Sequence, residues 1–199
     1  PRFTQSHPKN ARTRGILVAM AIGGRFVVPE IVASHFHLRE GDVVADFGSG
    51  SGFFMKTLAQ AVGASGRLYA CDIQKQLVEK LGDQARLLGL SNVFPLWCDL
   101  EEPNGITIAD GELDAAFLIN TLFLIEKKDD AITEMSRTLR RGGKFIIIDW
   151  SESFGGLGPQ PSQVIAAKDT TALLESHGFV LDRDFPAGEH HYGLAFRRV

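Results

Sequence analysis

"VVADFGSGSGFF", running from Val43 to Phe54, leads a short apolar stretch through an acid into three glycines two apart, Gly48, Gly50 and Gly52. A β-branched run, a glycine turn and an amphipathic continuation predict strand, loop and helix, the glycines permitting a tight turn and close approach of backbone to a ligand. A dinucleotide fingerprint, G-x-G-x-x-G, holds a pyrophosphate at its helix start. Here the third glycine comes one residue early and two phenylalanines follow. Asp46 also stands two residues before the first glycine, where a carboxylate opposes phosphates and favours a cation. The turn therefore predicts a ligand with positive charge close to it.

Two further acids extend the pattern. Asp72 ends the second expected strand, roughly 20 residues beyond the glycines, the place from which a carboxylate accepts hydrogen bonds from ribose hydroxyls. Asp99 follows the third strand in "PLWCDL", within reach of an adenine exocyclic amine. Any one of these acids by itself reads as a helix cap or turn former. All three, after three consecutive strands and beside the glycine loop, fit an adenosyl group with a cationic tail.

From Val43 onward, short apolar runs alternate with longer amphipathic segments, which predicts a largely parallel sheet covered by helices on both faces. Strands are expected near Val43–Phe47, Arg67–Cys71, Val93–Cys98, Ala115–Ile119, Lys144–Ile148, Phe179–Phe185 and Tyr192–Arg197. Helices are expected near Phe53–Val62, Gln74–Leu88, Asp129–Leu139 and Lys168–His177. In the second of these, Leu77, Leu81, Ala85 and Leu88 share one face and Gly89 supplies a stop. "RRGG", Arg140–Gly143, is read as the end of the third helix, its basic residues meeting the negative helix terminus. "FVLDRDF" and "YGLAFRRV" are joined by "PAGEHH", too short for a parallel crossover, so they form an antiparallel hairpin. If the first of the pair runs with the other strands, His190, His191 and Tyr192 emerge at the carboxyl edge, where open α/β sheets bind ligands.

The chain has 199 residues, 44% of them hydrophobic, and a formal charge of -3. That supports one core and gives no global field for nucleic acid or anionic membrane. The local exception is the N-terminal arm, in which Arg2, Lys9, Arg12 and Arg14 precede any acid; it reads as a solvated arm, a lid or a nucleic-acid contact. Cys71 and Cys98 have neither C-x-x-C spacing nor clustered histidines, so no disulfide framework and no metal site is indicated, and a cytoplasmic setting is expected. There is no apolar run of about 18 residues to insert into a membrane, and the N-terminus lacks the organisation of a signal peptide.

"VVADFGSGSG", "LYACDI" and "WCDL", followed by "EMSRTLRRGGKFIIIDW", resemble the successive motifs of class I S-adenosylmethionine-dependent methyltransferases, especially the small members similar to ubiquinone and menaquinone biosynthesis methyltransferases. The resemblance covers about Val27 to the C-terminus. It implies a Rossmann-like seven-stranded mixed sheet of order 3-2-1-4-5-7-6 with the last strand antiparallel, residues 27–199 forming that domain and 1–26 an arm and flanking helix. It also implies that Asp46 and the glycines face the methionine part of S-adenosylmethionine, Asp72 the ribose and Asp99 the adenine. Phe47, Ser49, Ile73, Cys98 and Leu100 join this cofactor set, and Asn120, in "FLINTLF", sits beside the methyl group.

A sulfonium is already an activated methyl donor, so the protein has to position an acceptor and exclude water. A hydroxyl or thiol acceptor benefits from a general base, for which the candidates are His190 and His191, with His35 and His37 on the N-terminal flank and Tyr192 as a hydrogen-bonding group. Phe26, Phe123, Trp150 and Phe154 are candidates for an apolar wall, and the glycine- and proline-rich "SESFGGLGPQPS" for a lid. Asn120 is not followed by the Pro-Pro-aromatic segment of many amino-methylating nucleic-acid and protein enzymes, and the three-cysteine arrangement of arsenite methylation is absent. A small-molecule acceptor is the leading expectation; RNA or protein methylation through the basic arm, and a non-catalytic adenosyl-binding module, are the alternatives. An NAD-dependent oxidoreductase is disfavoured by the glycine spacing and Asp46. Oligomeric state is not legible.

Overall fold

In the computed structural model, residues 27–199 are described; the arm, with Arg2, Lys9, Arg12 and Arg14, and Phe26 lie outside them. A short helix α1 (Pro29–Val32) leads into β1 (Val43–Phe47), α2 (Met55–Val62), β2 (Arg67–Asp72), α3 (Lys75–Leu87) and β3 (Val93–Trp97). There follow β4 (Leu113–Ile119), α4 (Lys128–Thr138), β5 (Leu139–Trp150), α5 (Ala167–Ser176), β6 (Phe179–Pro186) and β7 (His191–Arg198). The strands form one sheet in the order β3-β2-β1-β4-β5-β7-β6. β1 to β5 pair in parallel, while β7 is antiparallel to both β5 and β6. This is the Rossmann-like methyltransferase topology that the motifs imply, hairpin included.

Successive residues of each strand face opposite sides, and the core divides accordingly. Val44, Phe117, Ile146 and Ile148 pack with Leu58 of α2 and Leu81 of α3 on one side. Phe47, Leu118, Phe145 and Ile147 pack with Met135 of α4 and Leu174 of α5 on the other. The central strands are therefore apolar at nearly every position, as a sheet covered on both faces requires. Phe36 closes the first side, its ring 4.9 Å from Phe117 and also against Phe54 and Phe185.

Local signals behave unevenly. Gly89, at φ +67°, ends α3 as expected, and Leu90 N–H returns to the Ala85 carbonyl at 2.9 Å. Leu81 and Ala85 are buried on that helix, whereas Leu88 is exposed. Arg140–Gly143 is not a helix terminus: α4 stops at Thr138, Leu139 is already extended, and "RRGG" belongs to β5. Pairing shifts register between Leu113 and Ala115, which lets the strand begin five residues earlier than its apolar run. Arg140 meets the Asp114 carboxylate at 2.7 Å rather than the helix end.

Candidate functional site

The site begins with how the glycine turn is held. Gly48 and Ser49 both donate to the Cys71 carbonyl, at 2.9 and 2.8 Å, tying the loop after β1 to the end of β2. Ser49 Oγ donates to the Asp46 carbonyl and to its carboxylate, at 2.8 and 2.9 Å. Gly50 N–H donates to Asp72 Oδ2 at 3.0 Å, and the other oxygen of Asp72 accepts Gln74 N–H at 2.8 Å. Gly48, Gly50 and Gly52 have φ of +77°, +57° and +79°, left-handed geometry that glycine adopts without strain.

Over this turn, at the carboxyl ends of β1, β2 and β4, lies a cavity of about 230 Å³. Gly48, Gly50, Asp72, Ile73, Cys98, Asp99, Leu100 and Asn120 from the expected set line it together. Asp46, Phe47, Ser49 and Gly52 are not among the lining residues: Asp46 is buried and supports the loop through Ser49, and Gly52 packs against α3, where a side chain would meet Leu81 and Gln84 within 3 Å. Ser51, Gln74, Leu77, Glu101, Thr121, Leu124 and Ile125 complete the lining. None of these was legible as a site residue. Thr121 had a signal in retrospect, since it follows Asn120 directly after β4; Leu124 and Ile125 arrive through a 3₁₀ turn, Leu122–Leu124, that breaks the helical period.

Asn120 is unusual in two ways. Its φ is +52°, outside the ordinary range for a residue with a side chain, and its Oδ1 is buried without a hydrogen-bond donor. Its own N–H is held by the Ile148 carbonyl at 2.8 Å, so the sheet enforces this geometry. Asn120 therefore turns the chain at the cavity wall in a left-handed conformation that asparagine tolerates better than most side chains.

His190, His191 and Tyr192 do emerge at the carboxyl edge, since His191 pairs with Trp150 at the end of β5. They are not cavity-lining. His190 Nδ1 lies 2.7 Å from Glu152, and its ring stacks on Phe154 with centroids 3.9 Å apart. His191 packs on Trp150, and burial lowers its pKa to about 4. Tyr192 is turned toward α5, its hydroxyl 2.8 Å from Thr170 Oγ1. Phe123 and Trp150 form a small apolar cluster with Leu124, Phe154 and Leu157, next to the cavity through Leu124. His35 and His37 are elsewhere: they flank the buried Phe36, and the His37 carbonyl accepts from Lys144, midway along β5.

A larger, open depression of about 590 Å³ lies at the opposite edge, bordered by Arg137, Arg140, Arg141 and Arg198. Its guanidinium groups are mostly engaged within the chain: Arg137 with Glu134 and Asp110, Arg140 with Asp114, and Arg198 with the Leu139 carbonyl. It is better described as an ionic brace.

Burial pushes the Asp46 carboxyl up to about 7 from 3.8, against the opposing bond from Ser49 and with help from nearby Asp72. Asp149, also buried, is pushed up to about 7. A carboxyl raised on folding binds more protons folded than unfolded, so its contribution to stability is present below about pH 3.8 and is lost as pH rises through about 7. Asp46→Asn is expected to remove the Asp46 share. The stability difference between wild type and variant, from denaturant melts at several pH values, should therefore fall as pH increases from 4.5 to 8. A difference independent of pH would show that Asp46 does not titrate in that window.

A Rossmann-like sheet with a glycine turn and acids at the ends of β1 and β2 defines a class of adenosyl-cofactor enzymes, and comparison with known proteins narrows it. The family model for a methyltransferase domain matches residues 38–177. A crystal structure of an S-adenosylmethionine-dependent methyltransferase from Aquifex aeolicus has 26% identity and TM-score 0.83, covering 98% of this chain and 100% of that one. A putative type 11 methyltransferase from Sulfolobus solfataricus has 26% identity and TM-score 0.72, covering 87% and 93%. The ubiquinone/menaquinone biosynthesis C-methyltransferase UbiE of Chromobacterium violaceum is 30% identical over 133 residues, 64% of this chain and 53% of that protein. The chain thus spans about half the length of the curated relatives it matches. It belongs to the methyltransferase domain family, as a class I S-adenosylmethionine-dependent methyltransferase.

Proposed function

We propose that this chain transfers a methyl group from S-adenosylmethionine to a small-molecule acceptor, with residues 27–199 as the catalytic domain. The observation that carries this reading is the convergence of Gly48, Gly50, Asp72, Asp99 and Asn120 on one cavity. When bound, the cofactor supplies an already activated methyl, so no nucleophilic side chain is needed. Asp72, with an oxygen lone pair left beyond each of its two backbone donors, accepts from the ribose hydroxyls. Asp99, Ile73, Cys98 and Leu100 enclose the adenine. Backbone of Gly48 and Gly50 borders the methionine part, while Asp46, Phe47, Ser49 and Gly52 support that turn from behind. Asn120, at the cavity wall, would sit beside the methyl end.

On this reading the acceptor would sit beyond Asn120, near Leu124 and the apolar Phe123–Trp150 cluster. For an acceptor that must lose a proton, the reading favours His190 as base: its Nδ1 is paired with Glu152, an arrangement that orients the ring. His191, kept neutral by burial, and Tyr192, engaged with Thr170, serve as packing and positioning groups. The relatives named for ubiquinone and menaquinone biosynthesis support a small-molecule acceptor, and among the described residues no helix is long and apolar enough to cross a membrane. We place the reaction in the cytoplasm on the same reading.

The test is a calorimetric titration of purified protein with S-adenosylhomocysteine, with NAD in a parallel run. One saturable site per chain for the former, and much weaker binding of NAD, is the expected result. Folded protein that binds neither would overturn the reading.

A further inference from the structure

We infer that Glu101 is a clasp that holds the adenosine end of the cavity closed, an inference that rests on reading this cavity as the S-adenosylmethionine site. On residue type alone, a carboxylate two positions after Asp99 looks like a second ligand for the adenine amine. Its geometry assigns it otherwise. One oxygen accepts Glu126 N–H at 3.1 Å and the other accepts Lys127 N–H at 2.9 Å. These donors immediately precede α4, whose own N-cap side chain makes no capping bond. Glu101 thus satisfies backbone groups at that helix start from a distant loop, with its charge placed favourably at the positive helix end.

The two segments so joined both belong to the lining of the same cavity. Cys98, Asp99, Leu100 and Glu101 contribute one stretch of that lining, and Leu124 and Ile125, directly before the donors, contribute another. The acidic loop arrives already shaped: Asp99 N–H bonds the Gly105 carbonyl at 3.1 Å, and Asp99 Oδ1 accepts Glu101 N–H at 3.1 Å. A side chain at Gly105 would come within 2.1 Å of the Asp99 carbonyl, so glycine is needed to close this loop. Glu101 therefore positions two things together, the Asp99 carboxylate behind it and the Leu124–Ile125 wall in front.

Glu102 supplies a control one residue away. It reaches Lys127 Nζ at 3.4 Å in a pair whose side chains are more than half exposed, an arrangement of little energetic weight. The experiment compares wild type, Glu101→Ala, Glu101→Gln and Glu102→Ala by amide hydrogen exchange without ligand, and by titration with S-adenosylhomocysteine and 5′-methylthioadenosine. In Glu101→Ala, exchange across residues 99–105 and 124–127 should accelerate about tenfold, and both ligands should weaken by about tenfold, the scale of losing charged hydrogen bonds. The two ligands should weaken equally, because they share the adenosine. Glu101→Gln should recover part of the loss, and Glu102→Ala should follow wild type.

Exchange in Glu101→Ala as slow as in wild type, or binding by the folded variant within twofold of wild type, would overturn the clasp. Loss of protection in both walls, with a wild-type protein that ignores both ligands, would instead overturn the cofactor reading and confirm the mechanical tie.

Discussion

Gly48→Val is expected to abolish measurable S-adenosylhomocysteine binding, a loss of more than about a hundredfold, and to destabilise the fold by about 2–5 kcal/mol. Two causes add. Gly48 sits at φ +77°, where a β-branched residue is strained by about 1–2 kcal/mol. A Cβ there would also lie 2.6 Å from both Cγ2 and Oγ1 of Thr121. Thr121 is short and anchored by its hydroxyl to the Ile119 carbonyl at 2.9 Å, so it cannot yield without disturbing the strand end that carries Asn120. Because Gly48, Asn120 and Thr121 all line the cavity, the collision deforms the site itself.

This cause can be separated from general disruption. Thr121→Ala removes both atoms at 2.6 Å, so in the Gly48→Val background it should return part of the lost stability, whereas alone it should return none. Equal effects in the two backgrounds, in chemical-denaturation melts, would contradict the proposed contact. Gly50→Val differs instructively. Nothing approaches its Cβ more closely than the Gly48 carbonyl at 3.9 Å, so its effect should come from φ strain and from filling the cavity rather than from collision with protein.

Asp72→Ala carries the second large effect. The variant leaves Gly50 N–H and Gln74 N–H without their acceptor and removes the carboxylate proposed for the ribose. Stability should fall by about 1–3 kcal/mol and affinity for S-adenosylhomocysteine by about tenfold to a hundredfold. Asp72→Asn should recover part of the stability, because one amide oxygen still accepts, and less of the affinity. Calorimetric titration of folded Asp72→Ala at wild-type affinity would remove the residue from the binding site, leaving it only as a loop anchor.

The cavity was legible to the extent that its lining residues lie at strand ends. Gly48, Asp72, Asp99 and Asn120 each follow an apolar run, and a parallel sheet brings such ends to one edge. What escaped was set by irregular backbone. Glu101 looks like any surface acid until the loop from Asp99 to Gly105 turns it toward Glu126 and Lys127. Leu124 and Ile125 read as the approach to a helix, and only the turn after Asn120 brings them to the cavity. "RRGG" misled because basic residues and glycines also suit a helix end; a shift in pairing between β4 and β5 placed them in a strand.

By itself, the sequence determined the alternation of strands and helices, the closing hairpin and the edge at which the candidate cavity lies. These follow from local periodicity and from the length of the connections, both properties of neighbouring residues. Tertiary structure alone decided that Asp46 supports the glycine turn instead of lining the cavity, that His190 has Glu152 as a partner, and that Glu101 joins two walls. The last two join segments distant in the chain, and the first depends on how the glycine loop is tied to the neighbouring strand. Ser49 is only three residues from Asp46, but the Cys71 carbonyl of the adjoining strand, accepting from Gly48 and Ser49 N–H, anchors the loop in which that contact is made.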